Sequence, residues 1–227
     1  MTRTTKIVVV VLALVLTVVV AIAAYVIVNN RNAPEALQLS TPTAAQSGDF
    51  SSQQLDGVWT ISSDSVAGYR VDEVLTGQDV TVVGRTEKVS GDVTIADQVV
   101  TAASISVDMA SVATDNSNRD DAFRDLLKTQ EFASTSFTLT EELKLEFAEN
   151  ISTGETRVYN AVGTLEVAGV QQKVTAVIDA RFSETGIELV GTIPVTFSDF
   201  DIKAPNLGFV TVEDSGSVEF SLNLVRS

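Results

Sequence analysis

The chain contains neither cysteine nor histidine. Without cysteine there is no disulfide framework, no thiolate nucleophile and no cysteine to carry a lipid anchor. The absence of histidine further excludes Ser-His-Asp and Cys-His catalysis and His-ligated zinc, and it removes the usual proton shuttle near neutral pH. Carboxylate chemistry remains, with Asp120-Asp121, Glu141-Glu142 and Asp199 with Asp201 as the visible pairs. Adjacent glutamates on a strand point to opposite faces unless a bulge intervenes, and a wet strand face accounts for Asp199 and Asp201 equally well. The polar run Asp115 to Asp120 lacks the glycine and glutamate of a calcium loop and places Arg119 among the ligands, so no metal is expected. No glycine-rich phosphate loop occurs: Gly84 and Gly91 stand alone in strand-like sequence and read as bulges or bends, and no cofactor is expected.

Basic residues are also scarce, 15 against 30 acidic ones. Beyond residue 55 the balance is 12 basic to 28 acidic, a net charge of −16. Nucleic-acid binding rests on Lys and Arg neutralising phosphates, so it is excluded as a function class, and adhesion to anionic headgroups is disfavoured.

What the chain does have is an uncharged, almost wholly apolar run of 22 residues, Ile7 to Val28. At about 1.5 Å per residue a helix of this length matches the ~30 Å hydrocarbon core of a bilayer. Arg3 and Lys6 precede the run and Arg31 follows it, which favours a cytoplasmic N-terminus (1–6), a transmembrane anchor (7–28) and an extracytoplasmic remainder. Ala21-Ile22-Ala23 resembles a signal-peptide cleavage site, but Tyr25 to Val28 continue the apolar run past it. Under either reading the remainder is exported. An exported domain without disulfides suits a bacterial cell envelope. Residues 29–55, rich in Ala, Ser, Thr, Gln and Pro, read as a flexible linker, and 56–227 as one domain.

Within that domain apolar residues recur at every second position. Ala103, Ile105, Val107 and Met109 share one face, as do Val174 to Phe182, Ile187 to Phe197 and Val218 to Leu224 in alternation; Phe137 and Leu139 start a pattern that reaches Phe147 with a bulge at Glu141-Glu142. This is the pattern of an all-β antiparallel sheet with one dry face. Turns are expected at Ala96-Asp97, Ser152 to Gly154, Gly169, Glu184 to Gly186, Pro205 to Gly208 and Asp214 to Gly216. Strands of this length would leave long unpaired edges in an open sheet, which favours a closed barrel. One amphipathic helix is expected from about Asn118 to Lys128, capped by Ser117 with Asp120 in a capping box, and carrying Phe123, Leu126 and Leu127 on its apolar stripe. Trp59, Tyr69, Phe123, Phe132, Phe137, Phe182, Phe197 and Phe220 can line such a barrel, either as a filled core or as the wall of a tubular cavity; periodicity leaves both open.

The order of these features resembles the YceI-like family of exported, polyisoprenoid-binding, lipocalin-like barrels. The resemblance is carried by Trp59-Thr60-Ile61, Ser65-Val66, Tyr69-Arg70-Val71, Val83-Gly84, Ser90-Gly91, Ser104 to Thr114 with Arg119-Asp120, Glu131-Phe132, Ser136-Phe137-Thr138 and Gly163-Thr164-Leu165 before Gly169. It implies an antiparallel eight-stranded barrel with one short helix and an interior tunnel for the tail of a quinone-like or polyprenyl amphiphile. Trp59, Tyr69, Phe123, Leu127, Phe132 and Phe137 would line the tunnel, and Arg119 with Asp120 would pin the loop before the helix, with a headgroup contact as the alternative role. Where the family carries a His-Ser pair this chain has Asp64-Ser65, and where it carries a histidine after Arg-Asp this chain has Asp121-Ala122-Phe123. The expected function is therefore a membrane-anchored, extracytoplasmic binding protein for an isoprenoid or other lipid, without catalysis. The alternative is a displayed interaction module with a filled barrel; a carboxylate enzyme comes third.

Overall fold

The computed structural model describes residues 33–41, 49–147, 150–208 and 210–227. The expected membrane span, 7–28, lies outside these; among the described residues no helix is long and apolar enough to cross a membrane.

The strands are β1 (Asp49–Ser51), β2 (Gly57–Ile61), β3 (Val66–Leu75), β4 (Gln78–Thr86), β5 (Val89–Ala96), β6 (Val99–Asp108), β7 (Ser134–Leu139), β8 (Leu143–Lys144), β9 (Asn150–Ser152), β10 (Thr156–Val167), β11 (Val170–Phe182), β12 (Gly186–Thr196) and β13 (Val210–Arg226). The helix α1 (Ser117–Leu126) lies between β6 and β7. Hydrogen bonding runs β12-β11-β10-β7-β6-β5-β2-β13, and β13 pairs back onto β12, so eight antiparallel strands close a barrel. Closure leaves these strands no free edge to template aggregation. The 17-residue β13 is long enough to serve two neighbours: its last residues pair with β2, and Val210 to Ser221 pair with β3, which carries β4 outside the ring. The break between β2 and β3 is pinned by Ser65, whose hydroxyl accepts from the Asn223 backbone N–H at 3.0 Å.

Period-two patterning placed the inward faces as expected because each strand buries one face only. The apolar core runs through Ala103, Ala176, Ala180, Ile187, Ile193, Phe220, Leu222 and Leu224. The hairpins β5–β6 and β10–β11 turn through Asp97-Gln98 and Ala168-Gly169, each pair at positive φ, as a type I′ turn requires.

Several expectations need correction. The helix starts at Ser117 rather than being capped by it: Asn116 is the N-cap, its side-chain oxygen accepting from Asn118 N–H at 3.0 Å. Asp120 does not reach back to the cap but bonds Thr114, and the helix ends at Leu126 because Lys128 takes a left-handed φ of 50°. The pattern from Phe137 to Phe147 is not one strand with a bulge; β7 stops at Leu139 and β8 pairs separately with β6. Asp214 to Gly216 is an irregularity within β13, not a turn. Asp199 and Asp201 do not share a strand face: Asp199 lies in the 3-10 turn Phe197–Phe200, and Asp201 is its left-handed C-cap. The boundary at Asp56 falls inside packed structure, because Phe50 and Leu55 belong to the core and β1 pairs with β9.

Candidate functional site

One end of the barrel is shut. The 3-10 turn Ser52–Leu55 buries Leu55 completely, and Trp59 Nε1 donates to Leu55 O at 2.8 Å. Arg226 donates to the carbonyls of Gln54 and Asp56 and stacks on the Trp59 ring, 4.9 Å from its centroid. Gln54 reaches Glu184 in the β11–β12 turn, which fixes this turn at the end of the barrel where β11 gives way to β12.

The other end is covered by α1. The loop before the helix is tied down by Asp120, whose Oδ1 accepts from Thr114 N at 2.8 Å and Thr114 Oγ1 at 2.7 Å. Arg119 bridges Asp115 at 2.7 Å and the buried Glu73 at 3.4 Å, joining the helix to the inner face of β3. Phe123 lies flat on Tyr69, ring centroids 4.9 Å apart and planes 12° from parallel. The Tyr69 ring has room because it faces Gly84, where a Cβ would fall 2.4 Å from its Cε1. Burial pushes the Tyr69 phenol up to about 12, partly offset by the Arg119 guanidinium.

Between the two ends lie two chambers. The outer one, about 220 Å³, sits beneath α1 and is walled by Tyr69, Phe123, Leu127, Phe197, Phe200 and Val212 among others. The inner one, about 120 Å³, lies within the barrel and is lined by side chains that are apolar except for Thr135 and Tyr159. Tyr159 directs its hydroxyl away to Leu145 O at 3.0 Å, leaving its ring toward the chamber. Ala67, Val107, Thr135 and Val218 border both chambers. The Thr135 hydroxyl is buried with no hydrogen-bond partner among the described residues.

Of the six expected lining residues, Tyr69, Phe123 and Leu127 border the outer chamber and Phe137 the inner one. Two do not fit: Trp59 is fully buried in the closed end and borders neither chamber, and Phe132 packs on Gly169 of the β10–β11 turn. Sequence reasoning missed Glu73 and the residues that make the inner space. The latter include five small ones, Ala67, Ala103, Ala161, Ala176 and Ala180, which face inward at positions where a filled barrel would carry larger side chains. Inward-facing alanines on the strands are the available signal. Among the described residues no cluster of carboxylates fit to hold a metal ion occurs.

A closed, eight-stranded antiparallel barrel with an apolar interior and one helix across its end defines the architecture. The chain belongs to the YceI-like family: residues 59–224 match the YceI-like domain. The fold is similar to that of a polyisoprenoid binding domain from Saccharophagus degradans implicated in plant cell wall breakdown (18% identity, TM-score 0.59, covering 75% of this chain and 99% of that one). It is also similar to Burkholderia cenocepacia BcnA, at 17% identity and TM-score 0.55, covering 72% of this chain and 95% of that one. No curated protein sequence matches the chain.

Proposed function

We propose that this protein is a membrane-anchored, extracytoplasmic binding protein that holds the tail of a long-chain isoprenoid, quinone-like or polyprenyl, in the two-chambered interior of its barrel. The observation that carries this reading is the apolar inner chamber, which shares Ala67, Val107, Thr135 and Val218 with the larger space under α1. A filled barrel acting only through its surface would have no use for that space. Each tail methylene removed from water contributes about 0.8 kcal/mol, so a long tail binds through burial with few polar contacts. The relative from Saccharophagus degradans described as polyisoprenoid-binding supports the choice of tail. No turnover is part of this proposal.

The test is extraction of the native-host protein with organic solvent and mass spectrometry of the extract, together with uptake of an added long-chain quinone. Recovery of an isoprenoid amphiphile is the expected result. An extract free of isoprenoid and fatty ligands, with no quinone uptake, would overturn the proposal in favour of the interaction module.

A further inference from the structure

Residues 33–41, which the sequence presents as part of a loose linker, run along the outer wall of the barrel. At one end of this strap, Arg70 donates to Pro34 O at 2.8 Å and Arg85 donates to Glu35 O at 2.5 Å. The same two arginines flank the buried carboxylate of Glu219 on β13, at 3.2 and 2.8 Å, so the strap adds to an ion pair already fixed in the wall. At its other end, Ser40 donates twice to Glu188, from N at 2.6 Å and from Oγ at 2.9 Å, while Arg181 donates to Ser40 O at 2.6 Å.

The direction of the strap is informative. Arg181 and Glu188 sit beside the β11–β12 turn, at the shut end. Ala33 and Pro34 border a cleft with Thr114, Asp115 and Arg119, the loop and first turn of α1, and Arg119 also walls the outer chamber. The chain therefore reaches the barrel at its open end and descends to the closed one. Only residues 29–32 separate the apolar run 7–28 from Ala33. Five Cα–Cα steps, from Val28 to Ala33, span at most about 18 Å.

We propose that the strap holds the barrel with its helix-covered mouth facing the bilayer in which the run 7–28 sits, so that a lipid amphiphile passes between leaflet and outer chamber without crossing bulk water. This rests on the membrane-anchored reading above. The closed end stands about 30 Å farther out, the reach of a tilted twelve-residue strand such as β10. Charge is consistent with this placement. The domain carries −16, but from Ser117 to Lys128 three basic residues (Arg119, Arg124, Lys128) balance three aspartates, so the covering element is not repelled by a headgroup surface.

The chain has no cysteine, so single-cysteine labelling is clean. The full chain is reconstituted in phosphatidylcholine vesicles containing a headgroup-spin-labelled lipid, with a fluorescent label at Leu207→Cys, beside mouth residue Pro205, or at Val158→Cys, near the shut end. Both positions are about two-thirds exposed. Strong quenching at position 207 with little at 158 is expected. Inserting about twenty Gly/Ser residues between Asn32 and Ala33, a coil of roughly 25 Å, should reduce quenching at 207 to the level at 158. Equal quenching at the two sites, unchanged quenching after insertion, or failure of the protein to float with the vesicles would each overturn the proposal. Quinone uptake is scored separately in the same vesicles. Loss of uptake with the quenching asymmetry intact counts against the ligand and upholds the orientation.

Discussion

Tyr69 on β3 and Phe123 on α1 stack nearly parallel, 4.9 Å between ring centroids, and this pair fastens the helix over the mouth of the barrel. Offset aromatic pairs contribute about 0.5–1.5 kcal/mol beyond the area they bury. Phe123→Ala should therefore cost about 1–2 kcal/mol in urea unfolding and speed release of bound quinone more than it weakens the barrel. A slower or unchanged release rate would mean that the helix does not cover the exit.

Alkaline pH probes the same pair. The Tyr69 phenol is raised from 10.0 to about 12 by burial, so between those values the unfolded chain loses a proton that the folded chain keeps. Stability then falls as pH rises through this window, by up to about 2 kcal/mol, and is unaffected by Tyr69 below pH 10. Denaturant titrations of Tyr69→Phe should show a shallower loss over that range than the parent protein. Identical pH profiles would show that the ring is hydrated.

The inner chamber depends on small side chains. Ala176 and Ala161 face each other across β11 and β10, and both border the chamber. Ala176→Leu should fill part of it, block uptake of a long-chain quinone, and change stability by no more than the ~1–3 kcal/mol of moderate overpacking. Full uptake by this variant would place the tail elsewhere.

Thr135 has a different expectation. Its hydroxyl is buried without a partner where the two chambers share a border, and an unmet buried donor costs about 1–3 kcal/mol. Thr135→Val is expected to stabilise the ligand-free protein by about 1 kcal/mol, read as a shift in the urea midpoint at constant slope. Destabilisation would indicate that the hydroxyl has a partner.

Glu219 lies between Arg70 and Arg85 with its side chain 3% exposed. Glu219→Ala leaves two guanidinium groups beside an empty site and should cost about 2 kcal/mol, softened because both arginines keep a quarter of their surface in water. The measurement is equilibrium unfolding at low and high salt; a near-neutral variant would show the network to be ornamental to stability.

Much of this fold is legible in the sequence because a barrel strand buries alternate residues, so Ala103 with Ile105 and Leu222 with Leu224 declare their faces unaided. What could not be read is where the chain departs from that period. Leu139 ends β7 early because Thr140 and Glu141 turn their N–H groups to Val162 O, a tertiary contact without local sequence trace. Phe50 and Leu55 look like linker residues, yet they are drawn under the barrel by β9 and Trp59. The candidate site was half legible for a related reason. Aromatic patterning points to Tyr69, Phe123 and Phe137, which border the chambers, but a cavity is defined equally by what is small, and the indole N–H of Trp59 commits that ring to the plug.

The central claim, that the barrel interior holds an isoprenoid tail, is tested most directly by native mass spectrometry of the full chain after exposure to a long-chain polyprenyl quinone. A one-to-one adduct in the parent protein, absent from Ala176→Leu, is the predicted result. No adduct in the parent, or equal adducts in both, would contradict it.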